Sequence, residues 1–230
     1  MRALLAAAAL VLVAVPFGLL LFLVQDEWSP LLRADTGARD ELHAYAVRHD
    51  PFVTAMRVLS TVGSTSVWLA IFAVVAAWLV WRGPPRLALF VVATVVVSPL
   101  LNAAVKTAVS RSRPVLPDPV AHASGLSFPS GHAQAAIVGC SVLLLVFLPW
   151  LRGAWRPIAV VAAILLTVAI GFSRVALGVH YVSDVLAGYV LGAAWVTAMV
   201  AAFNALRLER GRPKARPTEG LEPDAAAPLQ

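Results

Sequence analysis

Charge is the property that this 230-residue chain has least of: 13% of its residues are Asp, Glu, Lys or Arg, whereas 60% are hydrophobic. A soluble globular domain carries roughly a quarter charged residues, so the composition excludes that class. Acidic residues are the scarcer sign, with 12 against 18 basic residues and a net charge of +6. The composition therefore indicates an integral membrane protein.

Cysteine is almost absent as well. The single thiol, Cys140, lies within a long apolar stretch. One cysteine has no partner within the chain, so a disulfide framework is excluded, and cysteine usage does not identify the redox compartment.

Long stretches without an ionisable residue are abundant, and six of them are close to the ~20 residues that a helix needs to cross a bilayer core. Lipid offers no hydrogen-bond partners, so a spanning segment is a helix or part of a closed barrel. The sequence predicts an all-α, polytopic membrane protein with six transmembrane helices. The stretches are 3–24, 58–81 (its membrane part from about Val67), 87–105, 133–151, 157–173 and 185–206.

Three parts of the chain fall outside a simple span. The first stretch also suits a cleaved signal peptide, although it is longer than a usual signal h-region. Residues 25–66 exceed a plain connector, and the pattern over 42–59 predicts an amphipathic helix lying on the bilayer. We assign 1–206 to one membrane domain and 207–230 to a disordered cytosolic tail, because the tail lacks apolar periodicity.

Basic residues orient the predicted bundle, since Lys and Arg accumulate in cytoplasmic loops. Both termini are therefore expected in the cytosol, and all five histidines on the extracytoplasmic side. Topology accounts for most of the positive charge, so nucleic acid is not an expected partner. Ten of the 18 basic residues fall on the side of the termini: Arg2, Arg82, Arg86, Arg152, Arg156, Arg207, Arg210, Arg212, Lys214 and Arg216.

Three polar motifs interrupt the apolar sequence, all on the predicted extracytoplasmic side. Residues 106–114 read KTAVSRSRP, residues 128–132 read FPSGH, and residues 173–184 read SRVALGVHYVSD. Ionisable groups at membrane helix ends are costly and usually mark a functional site. We expect this site to bind a phosphate at the membrane surface.

The basic residues of the motifs suit the nonbridging oxygens of a phosphate ester. Lys106 and Arg113 are expected to converge on one anion, and the fork of Arg174 can hold two oxygens at once. Ser130 and Gly131 precede a helix, where free backbone N–H groups and the helix dipole favour an anion. These five residues are the predicted phosphate ligands.

The two histidines of the motifs are the predicted catalysts. His180 and Asp184 are four residues apart at the predicted start of the last helix, and thus on one face. A carboxylate that accepts one imidazole N–H fixes the tautomer and stabilises the charge that forms when the other nitrogen attacks. His180 is therefore the predicted nucleophile, and His132 the acid that protonates the leaving oxygen and later activates water.

The pattern K-x6-RP, PSGH and SR-x5-H-x3-D resembles the signature of the type 2 phosphatidic acid phosphatase superfamily, the lipid phosphate phosphatases that share their site with vanadium haloperoxidases. Every motif position matches. The resemblance implies a multi-pass cell-membrane enzyme that needs no metal or other cofactor and forms a phosphohistidine on His180. Undecaprenyl diphosphate, phosphatidate and phosphatidylglycerophosphate are the implied substrates, and we favour the polyprenyl diphosphate.

Two alternatives from other classes and two ambiguous features stay open. A vanadate-dependent haloperoxidase would use the same anion pocket, and a lipid transporter or flippase would use the motifs as a substrate path. Gly188 and Gly192 form a GxxxG pattern that predicts close packing within the chain, or less readily a homodimer. Arg111 fits a solvated or headgroup contact as well as a ligand.

Overall fold

The computed structural model describes residues 15–209 and Leu221, and these residues contain helices and no strand. In chain order the helices are α1 Val15–Gln25, α2 Ser29–Ala46, α3 Asp50–Val62, α4 Thr65–Arg82, α5 Pro85–Val109, α6 Gly131–Phe147, α7 Trp155–Ala176 and α8 Val182–Glu209. A short 3-10 turn, Leu148–Trp150, extends α6.

Five of these helices, α4 to α8, are long and apolar enough to cross a membrane. They correspond to five of the six predicted spans, with ends that differ by a few residues. The predicted first span, 3–24, lies partly outside the described residues, and its described portion is the shorter apolar helix α1. Large apolar side chains such as Val74, Leu100 and Leu165 are more than half exposed on the bundle surface, as a lipid-facing surface requires.

The ends of the spans follow local sequence signals. The hydroxyl of Ser64 caps α4 by accepting the N–H of Val67 at 3.4 Å. Gly83 ends the same helix in the left-handed conformation, with φ of 101°, which glycine adopts without steric cost. Pro85 then opens α5 at a position where a missing N–H is tolerated.

Helix α6 is the most buried span and packs against α5, α7 and α8. Two glycines bring α8 close to it: a Cβ on Gly188 would lie 2.5 Å from the carbonyl oxygen of Ser130, and one on Gly192 would lie 2.4 Å from Ile137. The GxxxG pattern therefore serves close packing within the chain. The homodimer stays a prediction.

Residues 25–66, which we call the outer segment, differ from expectation. The single helix expected over 42–59 is divided by a turn at Val47–His49, so that its first residues end α2 and the rest form α3. One face of α3, including Val53 and Met56, is buried in an apolar cluster with Leu177. Packing against the end of α7 thus accounts for the apolar face of α3, and the contact with the bilayer stays a prediction.

Candidate active site

Four helix ends carry the motif residues to one end of the bundle. Helix α5 ends just after Lys106, α6 begins just before His132, α7 ends just after Arg174 and α8 begins just before Asp184. Successive spans run in opposite directions, so these four ends share one side. The His132 ring lies within electrostatic range of four other motif residues: Arg174, His180, Arg113 and Lys106.

His180 and Asp184 are in contact, with the imidazole Nδ1 3.2 Å from the carboxylate Oδ2. Helix α8 begins only at Val182, so the contact is made across the turn before the helix rather than along a helix face. The backbone N–H of Tyr181 donates to the same oxygen at 3.0 Å. Both side chains are buried, at 2% and 0% exposure.

The other ring nitrogen of His180, Nε2, lies 3.1 Å from a terminal nitrogen of Arg113. A guanidinium only donates, so Nε2 accepts and the ring proton sits on Nδ1, facing Asp184. Burial lowers the pKa of His180 to about 4, against the opposing effect of Asp184. The ring is therefore neutral at physiological pH, and the lone pair of Nε2 becomes available to attack once a substrate oxygen takes over the hydrogen bond from Arg113.

Backbone carbonyls hold the Arg113 guanidinium in place. Its Nε donates to Ser124 at 3.2 Å and to Gly125 at 3.1 Å, and NH1 donates to Val179 at 2.8 Å. Burial lowers the pKa of this group below its ordinary value, yet a guanidinium stays charged at any physiological pH.

Lys106 ties the last turn of α5 to the loop before α6. Its ammonium donates to the carbonyls of Leu126 at 2.8 Å and Ser127 at 3.1 Å. An ammonium has three donors, so one has no partner among residues 15–209 and is available for an anion.

Arg174 is buried, and one of its donors has no partner. NH1 donates to the hydroxyl of Ser60 on α3, whereas Nε is buried without a hydrogen bond among the described residues. An unpaired buried donor on a cation is costly, so it indicates a site for an acceptor that the protein itself does not supply.

Ser130 and Gly131 occupy the start of α6, but the N–H of Ser130 is not free as we expected. It donates to the backbone carbonyl of Asp184 at 2.8 Å, and the Ser130 hydroxyl accepts from Ala133 at 3.5 Å. Within residues 15–209, no hydrogen bond is found for the N–H groups of Gly131 and His132, which are the free donors at this helix start.

The His132 side chain is half-buried and has no hydrogen-bond partner in the described part of the chain. A polar network beneath it holds α6 against α5. Gln134 donates to the carbonyl and hydroxyl of Ser98, both at 2.9 Å, and accepts from Asn102 at 2.7 Å. The fold thus fixes the backbone that carries His132 and leaves its ring unattached.

Three residues around the site were missed or misread in the sequence. Arg111 is not a solvated contact: its side chain is 12% exposed and paired with Asp184 and Asp35. Asp35 is fully buried, although no motif distinguishes it from its neighbouring acids. No sequence pattern distinguishes Ser60. It reaches the site only because α3 packs against α7.

The remaining histidines lie apart from this arrangement. His43 contacts the carbonyl of Pro117, His49 contacts that of Tyr45, and His122 is exposed. Among the described residues, no three His, Cys, Asp or Glu side chains cluster as a metal site would need.

Comparison with known families agrees with the motif pattern. Residues 87–208, just over half of the chain, match the model of the PAP2 superfamily. The matched region contains all three motifs, so the resemblance that the motifs indicated is confirmed.

Individual relatives point the same way. Phosphatidylglycerophosphatase B of Bacillus subtilis (strain 168) is 41% identical over 40% of this chain and 46% of its own length. Undecaprenyl-diphosphatase of Sulfolobus acidocaldarius is 28% identical over 62% of this chain and 66% of its own. The chain thus matches about half to two thirds of the curated relatives' length.

A solved structure matches more of the chain. The crystal structure of a transmembrane PAP2-type phosphatidylglycerolphosphate phosphatase from Bacillus subtilis superposes with a TM-score of 0.75 and 25% identity. The superposition covers 90% of this chain and 98% of the chain in the solved structure.

Proposed function

Because the chain belongs to the PAP2 superfamily, we propose that it is a membrane phosphatase that hydrolyses a lipid phosphate or diphosphate through a phosphohistidine on His180. One observation carries the proposal: the buried His180 offers an unprotonated Nε2 beside Arg113, and its Nδ1 proton faces Asp184. This is the arrangement that an imidazole nucleophile needs.

The first half of the reaction forms the covalent intermediate. Nε2 of His180 attacks phosphorus, the bond from phosphorus to the lipid oxygen breaks, and His132 gives its proton to that oxygen. Arg113, Arg174 and Lys106 hold the nonbridging oxygens with the help of the Ser130 hydroxyl and the N–H of Gly131, and Asp184 stabilises the charged ring. The unpaired Nε of Arg174 supports this role, since a phosphate oxygen would satisfy it.

The second half returns the enzyme to its starting state. His132, now neutral, takes a proton from water, whose oxygen attacks phosphorus while the bond to Nε2 breaks. Inorganic phosphate leaves and His180 is neutral again.

We propose a terminal phosphate on a membrane-anchored lipid as the substrate. The named activities of the relatives, on phosphatidylglycerophosphate and undecaprenyl diphosphate, share that chemistry and support both as candidates. Apolar side chains cover the outside of the spans, so the lipid tail can stay in the bilayer while the headgroup reaches the polar helix ends.

We further propose that the site faces the extracytoplasmic side of the cell membrane and that both termini are cytosolic. Arg82 and Arg86 flank the α4–α5 turn and Arg152 and Arg156 the α6–α7 turn, both at the end of the bundle opposite the site. Basic turns of this kind favour the cytosol. With Cys140 replaced by Ala, a cysteine placed at the exposed His122 should react with a membrane-impermeant maleimide in intact cells; labelling only after lysis would reverse the orientation.

The activity test is phosphate release in detergent from phosphatidate, phosphatidylglycerophosphate and undecaprenyl diphosphate, with and without EDTA. We expect release that EDTA does not reduce, that His180→Ala abolishes and that His132→Ala lowers by about 10²–10³-fold, while the exposed His122→Ala serves as the matched control. Loss of activity on chelation would overturn the metal-free mechanism, and a fully active His180→Ala would overturn the nucleophile.

The same variants discriminate the two alternatives. A transporter path would need charged groups in the middle of spans, whereas the charged side chains of α4 to α8 lie near helix ends. Lipid movement that falls in His180→Ala while phosphate turnover persists would favour the transporter. Halide oxidation on addition of vanadate would favour the haloperoxidase.

A further inference from the structure

Asp35 is a fully buried carboxylate on α2, far from the motifs in sequence. A buried charge is tolerated only when it is paired and hydrogen-bonded. Asp35 accepts from the backbone N–H of Ser183 at 2.9 Å, from the hydroxyl of the same serine, and from Arg111 at 2.9 Å. The outer segment therefore attaches directly to the first turn of α8.

Arg111 joins Asp35 to the carboxylate behind the nucleophile. One end of its guanidinium, NH2, pairs with Asp35, while NH1 donates to Asp184 Oδ1 at 2.6 Å and to the hydroxyl of Ser183 at 2.7 Å. Its Cζ atom lies over the ring of Tyr181, 4.3 Å from the centroid. A planar guanidinium held on both edges and one face has little freedom to turn.

The two oxygens of Asp184 thus have separate partners. Oδ1 faces Arg111, and Oδ2 faces His180 and the N–H of Tyr181. If Oδ1 lost its partner, the carboxylate could rotate and present either oxygen, or neither, to the imidazole.

We propose that Asp35 and Arg111 are positioning residues: Arg111 orients Asp184 toward His180, and Asp35 balances the charge of Arg111 so that Asp184 keeps its full attraction for the imidazolium. This inference rests on the proposed function, because it assigns these residues to the nucleophile of that reaction. It also gives the outer segment a part in catalysis.

The proposal predicts opposite electrostatic effects for its two residues. Without Asp35, the charge of Arg111 is less balanced and competes with His180 for Asp184, so the imidazole becomes less basic. Without Arg111, Asp184 is uncompensated and the imidazole becomes more basic. The other charged or titratable groups around the pair stay the same in both variants: Lys106, Arg113, His132, Arg174 and Tyr181.

The experiment measures kcat and KM against pH for Asp35→Asn, Arg111→Gln and Arg111→Lys, with Asp40→Asn as the control. Asp40 lies on the same helix, with its side chain 58% exposed and paired with Arg39, so its replacement should leave both constants unchanged. Asp35→Asn should lower kcat about tenfold with little change in KM, since a charged hydrogen bond is lost behind the nucleophile. Arg111→Gln should lower kcat further.

The pH profiles distinguish a positioning role of Asp35 and Arg111 from a general loss of structure in the variants. In Arg111→Gln the acid limb of kcat/KM should move up by about one pH unit, whereas in Asp35→Asn it should stay at or below the wild-type position. Protonation of the substrate phosphate affects the profiles of all variants equally, so it does not change the difference between them. Arg111→Lys, which keeps the charge but not the fork, should recover part of kcat and restore the wild-type limb.

Equal kcat values for Asp35→Asn and Asp40→Asn, or parallel losses in both Asp35→Asn and Arg111→Gln with unmoved acid limbs, would overturn the proposal. If Asp35→Asn cannot be purified in folded form, Arg111→Lys decides, because wild-type kcat in that variant would also overturn it. Failure of the proposed function looks different: the wild-type protein would release no phosphate, or His180→Ala would remain active.

Discussion

The two histidines of the site differ in how firmly the fold holds them. His180 is buried, with one ring nitrogen against Asp184 and the other against Arg113. His132 is half-buried, and its ring has no hydrogen-bond partner among the described residues. The difference matches the proposed tasks, because a nucleophile must hold one tautomer and one direction, whereas an acid that later serves water benefits from freedom to move between two oxygens.

The largest effect on this comparison is expected when His180 loses its carboxylate partner, Asp184. Asp184→Asn keeps the shape of the side chain but removes the charge that stabilises imidazolium, and it allows the wrong tautomer. In a serine protease triad, loss of the corresponding carboxylate lowers kcat by about 10⁴-fold. Steady-state phosphate release over a range of lipid phosphate concentrations would measure both kcat and KM, and a loss confined to KM would contradict the assigned role.

Removing the free histidine should have a smaller and more selective effect. His132→Gln should lower kcat on a lipid monophosphate by about 10²–10³-fold, the range of general acid catalysis. With an aryl phosphate, whose leaving oxygen needs little protonation, the first step should survive and the second should not. Acid-labile radioactive phosphate should therefore accumulate on the protein.

The double variant His132→Gln with His180→Ala is the control for that label, since it lacks the nitrogen that would carry phosphate. Label that persists in the double variant would place the covalent bond elsewhere. Absence of label in His132→Gln, despite release of the aryl alcohol, would assign water activation to another group.

Much of this comparison was predictable from the sequence, because the signals involved are local. Hydropathy locates spans without reference to neighbours, since lipid imposes the same demand on each segment. The spacing of His180 and Asp184 indicated their contact even though the turn, and not the helix, makes it. The freedom of the Ser130 N–H was misjudged because its acceptor, the carbonyl of Asp184, is far away in the chain.

The residues that hold the site from outside could not be found in this way. Asp35 and Ser60 belong to segments of ordinary outer-loop composition, and they become important only because α2 and α3 fold back over the ends of α7 and α8. Burial of an acid is a tertiary property that no local pattern encodes. Arg111 was visible in the first motif, but its partners were not.

An effect of intermediate size on KM is expected from the contact between Ser60 of the outer segment and the phosphate ligand Arg174. Ser60→Ala removes the hydroxyl that accepts from Arg174, which should loosen one cation of the site without touching His180. A hydrogen bond worth about 1 kcal/mol corresponds to a rise in KM of about fivefold, with kcat little changed. Thr61→Ala is the matched control, because that hydroxyl is exposed and bonds to its own helix at Arg57. A fall in kcat larger than the change in KM would show that Ser60 acts on the nucleophile instead.

The smallest expected effect concerns pH and tests how well His180 is shielded. Burial disfavours the imidazolium and lowers the pKa of His180 to about 4, so protonation removes the nucleophile only at strongly acid pH. In His132→Gln, where no general acid titrates, the value of kcat/KM for an aryl phosphate at pH 5, divided by the separately measured titration of that substrate, should have fallen by about a tenth. A histidine with an ordinary pKa of about 6.5 would have lost more than about nine tenths of its neutral form at that pH. Return of full activity after readjustment to pH 7 controls for unfolding. A reversible half-loss near pH 6.5 would mean that burial does not keep His180 neutral, and the firm hold of the fold on this ring would then no longer explain its role.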